Sequence, residues 1–402
     1  MDIFRKLYEM TAIEGILNEP LSLLMIIIGI VLLYLGIGKR FEPLLLVPIA
    51  FGIILANFPG SQMGVIGNQE SIDIEGVSIL EIASKYGIIN MLYFLLIKTG
   101  LLPPLIFLGV GALTDFGPML RNLRLAFFGA AAQIGIFTVV IAAVLFGFSL
   151  PEAGALGFIG GADGPTAIYT SIVLAPHLLG PIAIAAYSYM ALVPVIIPFV
   201  VRYTMNENEL KINMKEEDKK FPSTQQIKNP RILKIAFPIA LTCIIAVIVP
   251  TSLPLIGLLM FGNLIKEIGS DTKRLFQAAS ETIMNTATVF LGLLIGATMT
   301  SSTFLKTQTL LIIVGGLFAF IISIAGGILA VKIYNLIARK KINPLIGATG
   351  LSAVPMASRV ANDIALKHDS SNHILQYAMS SNISGVIGSA VAAGVLITFL
   401  GS

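Results

Sequence analysis

Asp163 is the residue whose type and setting most demand a chemical explanation. It is the only acid between Glu152 and Glu207, and it stands in GFIGGADGPTAIYT, between Gly161 and Gly164 with Pro165 next. If that apolar run lies within a bilayer, a carboxylate there costs about 2.5–3.5 kcal/mol on insertion scales. Gly and Pro interrupt helices and leave carbonyl oxygens without partners. A carboxylate, freed carbonyls and the Thr166 hydroxyl together make a hard oxygen cage. That donor set suits a small hard cation, by the preference that governs calcium and magnesium sites. The plainer alternative is a protonated Asp163, or one paired with Arg359.

A second segment, NPLIGATGLSAVP, offers neutral oxygens: Asn343, Thr349 and Ser352. Asn382 stands inside an uncharged run, in MSSNISG. Each alone also fits a hydrogen bond between membrane helices. Tyr189, in AYSYMALVP, reads as a core or interface residue. Arg359 follows the second segment and is either a flanking charge or a fork for an anionic carboxylate. Lys98, Asp115 and Glu281 lie near the ends of predicted helices, where snorkelling accounts for them.

The elements that must position these residues are membrane spans. Only 12% of the 402 residues are charged and 56% are hydrophobic, against roughly 25% charged in soluble domains. Uncharged runs cover 21–38, 125–151, 164–201, 235–265, 282–305, 307–331 and 374–402. About 20 apolar residues cross the hydrocarbon core. The pattern predicts an all-α polytopic membrane protein with about ten spanning helices, near 21–38, 41–57, 89–114, 123–149, 178–201, 230–250, 254–268, 276–305, 308–337 and 372–400. The seventh is short enough for a half-helix. Residues 59–88 read as a loop with a surface helix, and the first ten as an amphipathic interfacial helix rather than a cleaved leader.

The polar stretch 202–234 holds eight Lys/Arg and five Asp/Glu and bisects the chain. Its core, 202–229, reads as a cytoplasmic linker. Alternation then puts Lys39/Arg40, Arg121/Arg124, Lys266/Lys273/Arg274 and Arg339/Lys340/Lys341 on the linker's side, as the positive-inside rule requires. Both termini fall opposite, against which Arg5 and Lys6 argue. The net charge of +4 is spread over these flanks and gives no nucleic-acid footprint.

Segments 151–177 and 343–367 each read as a broken, re-entrant hairpin: apolar stretch, Gly-rich break, apolar stretch. Gly161-Ala162-Asp163-Gly164 aligns with Gly347-Ala348-Thr349-Gly350 at an offset of 186. Gly111-Ala112 aligns with Gly296-Ala297 at 185, although such pairs also recur by chance. Five spans between the copies invert their orientation. The expected organisation is a first inverted repeat over 1–201 with its hairpin at 151–177, the linker 202–229, and a second repeat over 230–402 with its hairpin at 343–367. One cysteine, Cys243, excludes an internal disulfide, and the three histidines have no ligand spacing. No phosphate loop, zinc motif, nucleophile elbow or dinucleotide fingerprint occurs.

At these residues the chain resembles the β subunit of the sodium-pumping biotin-dependent decarboxylases, which act on oxaloacetate, methylmalonyl-CoA, glutaconyl-CoA or malonate. The resemblance runs from about residue 20 to 400. It is carried by GFIGGADGPTAI with LLGPIAIAAYSYMALVP, and by NPLIGATGLSAVPMASR with QYAMSSNISGVIGSA. It implies a sodium site at Asp163, Asn343, Gly347, Ser352 and Asn382, to which Thr349 is added by its place at the second tip. It implies catalytic roles for Asp163, Tyr189 and Arg359, with Arg359 facing carboxybiotin. Biotin is then carried on a carrier domain of a partner, not on this chain. The implied partners are a carboxyltransferase α subunit and a small membrane γ or δ subunit, with this chain as a homo-oligomer in the plasma (inner) membrane. The implied fold is an elevator-like core and a scaffold.

Two other readings compete. A sodium-coupled carboxylate symporter or sodium/proton antiporter shares inverted repeats and broken helices, but not the detailed match around Asp163 and Asn343. A passive membrane anchor for soluble subunits has no use for an intramembrane acid.

Overall fold

The computed structural model describes residues 8, 11–40, 42–65, 78–221 and 229–401, apart from the Ala191 side chain. The expected interfacial helix over the first ten residues and much of the 59–88 loop lie outside them. Every regular element among the described residues is a helix. The longer helices and hairpin arms are α1 (Pro20–Gly38), α2 (Pro43–Ala56), α3 (Leu102–Leu113), α4 (Leu123–Ala132), α5 (Ile134–Leu145), α6 (Leu150–Gly160), α7 (Gly164–Leu174), α8 (Leu179–Thr204), α9 (Pro230–Ile248), α10 (Leu253–Ile268), α11 (Met284–Ala297), α12 (Thr307–Ile337), α13 (Leu345–Ala348), α14 (Met356–His368) and α15 (Leu375–Leu400).

Among the described residues, seven helices are long and apolar enough to cross a bilayer, and up to nine if each of two bent pairs counts as one span. The chain is therefore a multi-pass, all-α membrane protein. The short member is α2, with 14 residues, rather than the expected 254–268 helix; a turn at Pro250–Ser252 lengthens that one. The span expected at 89–114 is bent by 62° where Thr99–Leu101 interrupts it. A π-helical turn, Tyr93–Lys98, precedes that bend, and another, Ala278–Ile283, leads into α11.

The central packing is reciprocal. α2 lies on α11, and α3 lies on α10. At the first crossing, a Cβ on Gly52 would overlap the Leu293 carbonyl, and one on Gly296 would overlap that of Ile49. At the second, Gly111 faces the Leu259 carbonyl and Gly262 that of Leu108 in the same way. Small residues permit this backbone approach, which supplies packing where lipid offers no hydrophobic driving force. Asn57 bonds across the first crossing, donating to Met299 O (2.7 Å) and accepting from Ser301 N (3.0 Å). Asn263 donates to Thr114 O (2.9 Å) across the second.

Two large apolar clusters result. One gathers residues of α1, α2, α3 and α11, with Ile168, Leu179 and Tyr187. The other gathers the two hairpins with α8, α12 and α15.

The 202–229 stretch is more than a solvated tether where it is described. Asn206 and Glu209 form a capping box, and Asn213 caps a helix over Met214–Lys220. These turns dock on the base of the second hairpin. Asn213 donates to Asp369 Oδ2 and Ser371 Oγ (2.9 Å each), and Lys341 N donates to Glu217 Oε2 (3.0 Å). Lys340 pairs with Asp218 (2.6 Å), and Lys332 with Glu209 (2.9 Å). The linker's acids thus accept from donors at the base of the second hairpin.

Candidate functional site

The first hairpin is built by local rules. Ser149 and Glu152 form a capping box that starts α6. Gly160 ends it, and Ala162 adopts a left-handed φ of 52° that turns the chain. Asp163 then caps α7, its Oδ1 accepting from Thr166 N (3.1 Å). His177 meets Glu152 at 2.8 Å, which brings the two ends of the hairpin together. Each arm has 11 residues, a rise of about 16 Å, or roughly half the ~30 Å hydrocarbon core.

The second hairpin is less helical than its sequence predicts. Its first arm is the single turn α13; residues 349–355 are non-helical and include a cis Val354–Pro355 bond; α14 forms the other arm. Asn382, on α15, donates its amide to Thr349 O (3.0 Å) and to Leu351 O, which holds the break open. Gln133, at the joint of α4 and α5, reaches Gly129 O (3.2 Å), Gly350 O (3.4 Å) and Gly385 O (3.2 Å).

The two tips meet. Ser352 N donates to Gly161 O at 3.0 Å. Ser389, on α15, donates its hydroxyl to Asp163 Oδ2 at 2.5 Å and stands 3.0 Å from Ser352 Oγ. Asp163 is 4% exposed, and no Lys or Arg among the described residues pairs with it. Several buried oxygens lack a hydrogen-bond partner, among them Thr166 Oγ1, Tyr187 OH, Ser381 Oγ and Asn382 Oδ1. Buried polar groups are normally satisfied. Asp163, with the Ser389 hydroxyl and Thr166 N on its oxygens and the Ser352 hydroxyl beside Ser389, has the oxygen chemistry that suits a small hard cation.

The residues singled out from the sequence divide here. Asp163 and Ser352 come together. Thr349 and Asn382 join each other through the Thr349 carbonyl, while the Thr349 hydroxyl lies 2.8 Å from Ile346 O and 3.0 Å from Ala378 O. Gly347 is buried against Gly327 of α12, where a Cβ would strike the Gly327 carbonyl. Asn343 sits at the base, not the tip. Its amide donates to Leu210 O and Ile212 O (3.0 Å each), and its Oδ1 accepts from Leu345 N (3.0 Å). Tyr189 donates to Ile313 O and leans on Phe320. Arg359 is exposed and has no side-chain partner among the described residues. It is not the counter-ion of Asp163.

Three further residues belong to the site. Ser389 left no signal beyond an ordinary hydroxyl in a Gly/Ser/Ala helix. Gln133 was visible as the lone amide of the 125–151 run. Tyr187 lies with its ring against Gly164, two residues before the Tyr189 that the motif highlights.

Fold and site thus define a polytopic membrane protein with a buried carboxylate where two broken hairpins touch. The sequence model of the family described as the Na+-transporting oxaloacetate decarboxylase beta subunit matches residues 21–400. The chain is 46% identical to the methylmalonyl-CoA decarboxylase subunit beta of Propionigenium modestum, over 94% of this chain and 95% of that one. It is 44% identical to the subunit of the same name from Veillonella parvula (97% and 98% covered) and 43% identical to a probable oxaloacetate decarboxylase beta chain of Vibrio cholerae (94% and 95%). The chain belongs to this family of sodium-transporting decarboxylase β subunits.

Proposed function

We propose that the chain decarboxylates carboxybiotin delivered by a partner's carrier domain and uses that reaction to drive sodium outward through a site at Asp163. The observation that carries this reading is the meeting of buried Asp163 with Ser389 of α15 and the partly buried Ser352 where the tips touch, with no Lys or Arg among the described residues pairing with Asp163. In the reaction the N–CO2 bond of carboxybiotin breaks, CO2 leaves, and the ureido nitrogen takes up a proton. Exposed Arg359, on the second hairpin, is the group suited to the carboxylate of carboxybiotin. Sodium and a proton compete for one carboxylate at Asp163, and this competition links sodium release to proton uptake.

Two inverted repeats, 1–201 and 230–402, organise this machinery around the 202–229 linker. The reciprocal crossings of α2 on α11 and α3 on α10 support that reading, as do the two π-helical turns at Tyr93–Lys98 and Ala278–Ile283, spaced 185 residues apart like Gly111 and Gly296. The apolar cluster around α1, α2, α3 and α11 acts as scaffold, and the cluster holding both hairpins as the moving core. The linker faces the cytoplasm, where the carboxyltransferase and carrier arrive; a small membrane γ or δ subunit and further copies of this chain complete the complex.

The test is sodium uptake by proteoliposomes holding the complete complex. Uptake should require the biotinylated partner and stop when avidin is added. Sodium movement that is indifferent to avidin would favour the secondary-transporter reading instead.

A further inference from the structure

One large cavity lies apart from Asp163, at the membrane face that carries the linker. Its volume is about 900 Å³, and it opens between the start of α4, the end of α12 and the Met214–Lys220 helix. Four cations line it: Arg121 and Arg124 from one side, Arg339 and Lys340 from the other. Among the described residues, Asp218 is the only lining carboxylate, and it is already engaged by Lys340 (2.6 Å) and by the Tyr377 hydroxyl (2.5 Å). The three guanidiniums have no ion-pair or hydrogen-bond partner among the described residues. The neighbouring segment 222–228, PSTQQIK, contains no acid that could supply one.

Apart from Asn122 and two tyrosines, the rest of the lining is apolar. Leu123 and Ile337 are the first residue of α4 and the last of α12, and they are 62% and 87% exposed. One turn into the bilayer from Leu123, on the same helix face, Phe127 is 69% exposed. Solvated cations alone would not need this greasy floor, and a soluble anion would not use it. A ligand with a phosphate at one end and hydrocarbon at the other uses both.

We infer that this cavity is a binding site for an anionic phospholipid, with its phosphate held by Arg121, Arg124 and Arg339 and an acyl chain running along Leu123 and Phe127. Arginine's planar fork matches phosphate oxygens, and basic pockets between spans at a cytoplasmic face are fitted to such headgroups.

The test uses the purified full-length chain in its complex, titrated in neutral detergent with phosphatidylglycerol, phosphatidylcholine or inorganic phosphate, and read by native mass spectrometry and thermal melting. Phosphatidylglycerol should bind and raise the melting temperature, and phosphatidylcholine should not. Each Arg→Gln change is expected to weaken lipid binding roughly fivefold, and the triple R121Q/R124Q/R339Q about 100-fold. Arg231→Gln, an exposed cation outside the cavity, serves as the control and should leave binding unchanged. Because all three arginines are exposed, the triple variant should melt like the wild type without lipid. Equal lipid responses in wild type and triple variant would overturn the assignment. So would a matching response to inorganic phosphate alone, which would make the cavity a soluble-anion site.

Discussion

Replacing Asp163 by Asn separates the charge of this residue from its structural work. Asp163 caps α7 through Thr166 N, and Asn is as good a cap as Asp. The hydroxyl of Ser389 can still bond the amide. The variant should therefore fold, and in sodium-free buffer it should melt no lower than the wild type, because a buried charge without a counter-ion is gone. Asp163→Ala loses the cap as well and should be about 1 kcal/mol less stable than Asp163→Asn. Sodium binding should respond quite differently. A cation about 4 Å from a carboxylate gains about 4 kcal/mol at an effective dielectric constant of 20, worth roughly three orders of magnitude in affinity. The assay is the sodium dependence of thermal melting of the purified chain, with potassium replacing sodium at constant ionic strength. Wild type should be stabilised as sodium saturates the site, and both variants should show no response at sodium concentrations that saturate wild type. A sodium midpoint for Asp163→Asn within a few-fold of wild type would refute the placement of the cation at Asp163. An Asp163→Asn protein that melts as low as Asp163→Ala would refute the capping argument on its own.

Other outcomes follow from the same geometry. Ser389→Ala removes a hydrogen bond to a charged group, worth about 1.5–3 kcal/mol, so sodium affinity measured by the same melting assay should fall roughly tenfold to a hundredfold. Sodium affinity should also fall as pH falls, approaching tenfold per unit once a proton occupies the carboxylate; a pH-independent affinity would remove proton competition from the scheme. Asn343→Ala breaks bonds to Leu210 O and Ile212 O. It should speed hydrogen exchange over 205–221 while leaving the sodium midpoint within a few-fold; a lost sodium response with unchanged exchange would put Asn343 in the ion's shell instead. Burial alone would raise the Asp115 carboxyl, but hydrogen bonds from Lys234 and Gly117 and the Lys234 charge outweigh it and hold it below its usual range. A depressed carboxyl contributes stability above its unfolded value and loses it as pH falls through the folded one. Asp115→Asn should thus cost under about 1 kcal/mol at neutral pH, given its half-exposed side chain, and nothing in strong acid.

The spans were legible in the sequence because a bilayer enforces one rule, the exclusion of charge, over whole segments. Asp163 was legible as the violation of that rule. Ser389, which donates to Asp163, was not, because it is one small residue among many in VIGSAVAAG, where close helix packing already accounts for Gly, Ser and Ala. Asn343 shows the converse. Its motif singled it out with the tip residues, yet its amide is spent on the carbonyls of the docked linker. The docking of the linker was not legible either, because nothing in the sequence pairs Glu217 and Asp218 with Lys341 N and Lys340 until the fold brings them together.

The two hairpins are held in opposite ways at base and tip. At the bases, charge fixes them: Glu152 with His177 on the first, and Asp369, Glu217 and Asp218 with linker and lysine partners on the second. At the tips, one carboxylate meets neutral donors from α15 and from the second break, and the contact between Ser352 N and Gly161 O is a single hydrogen bond. Polar anchors set the register at each base, and a neutral contact worth about 1 kcal/mol joins the tips. On the proposed sodium site, such a joint would open when its one charge is neutralised differently, by a cation or by a proton, without unfolding either hairpin. That proposal puts the exchange of ions at Asp163, where it would have the most leverage over the relative placement of the two tips.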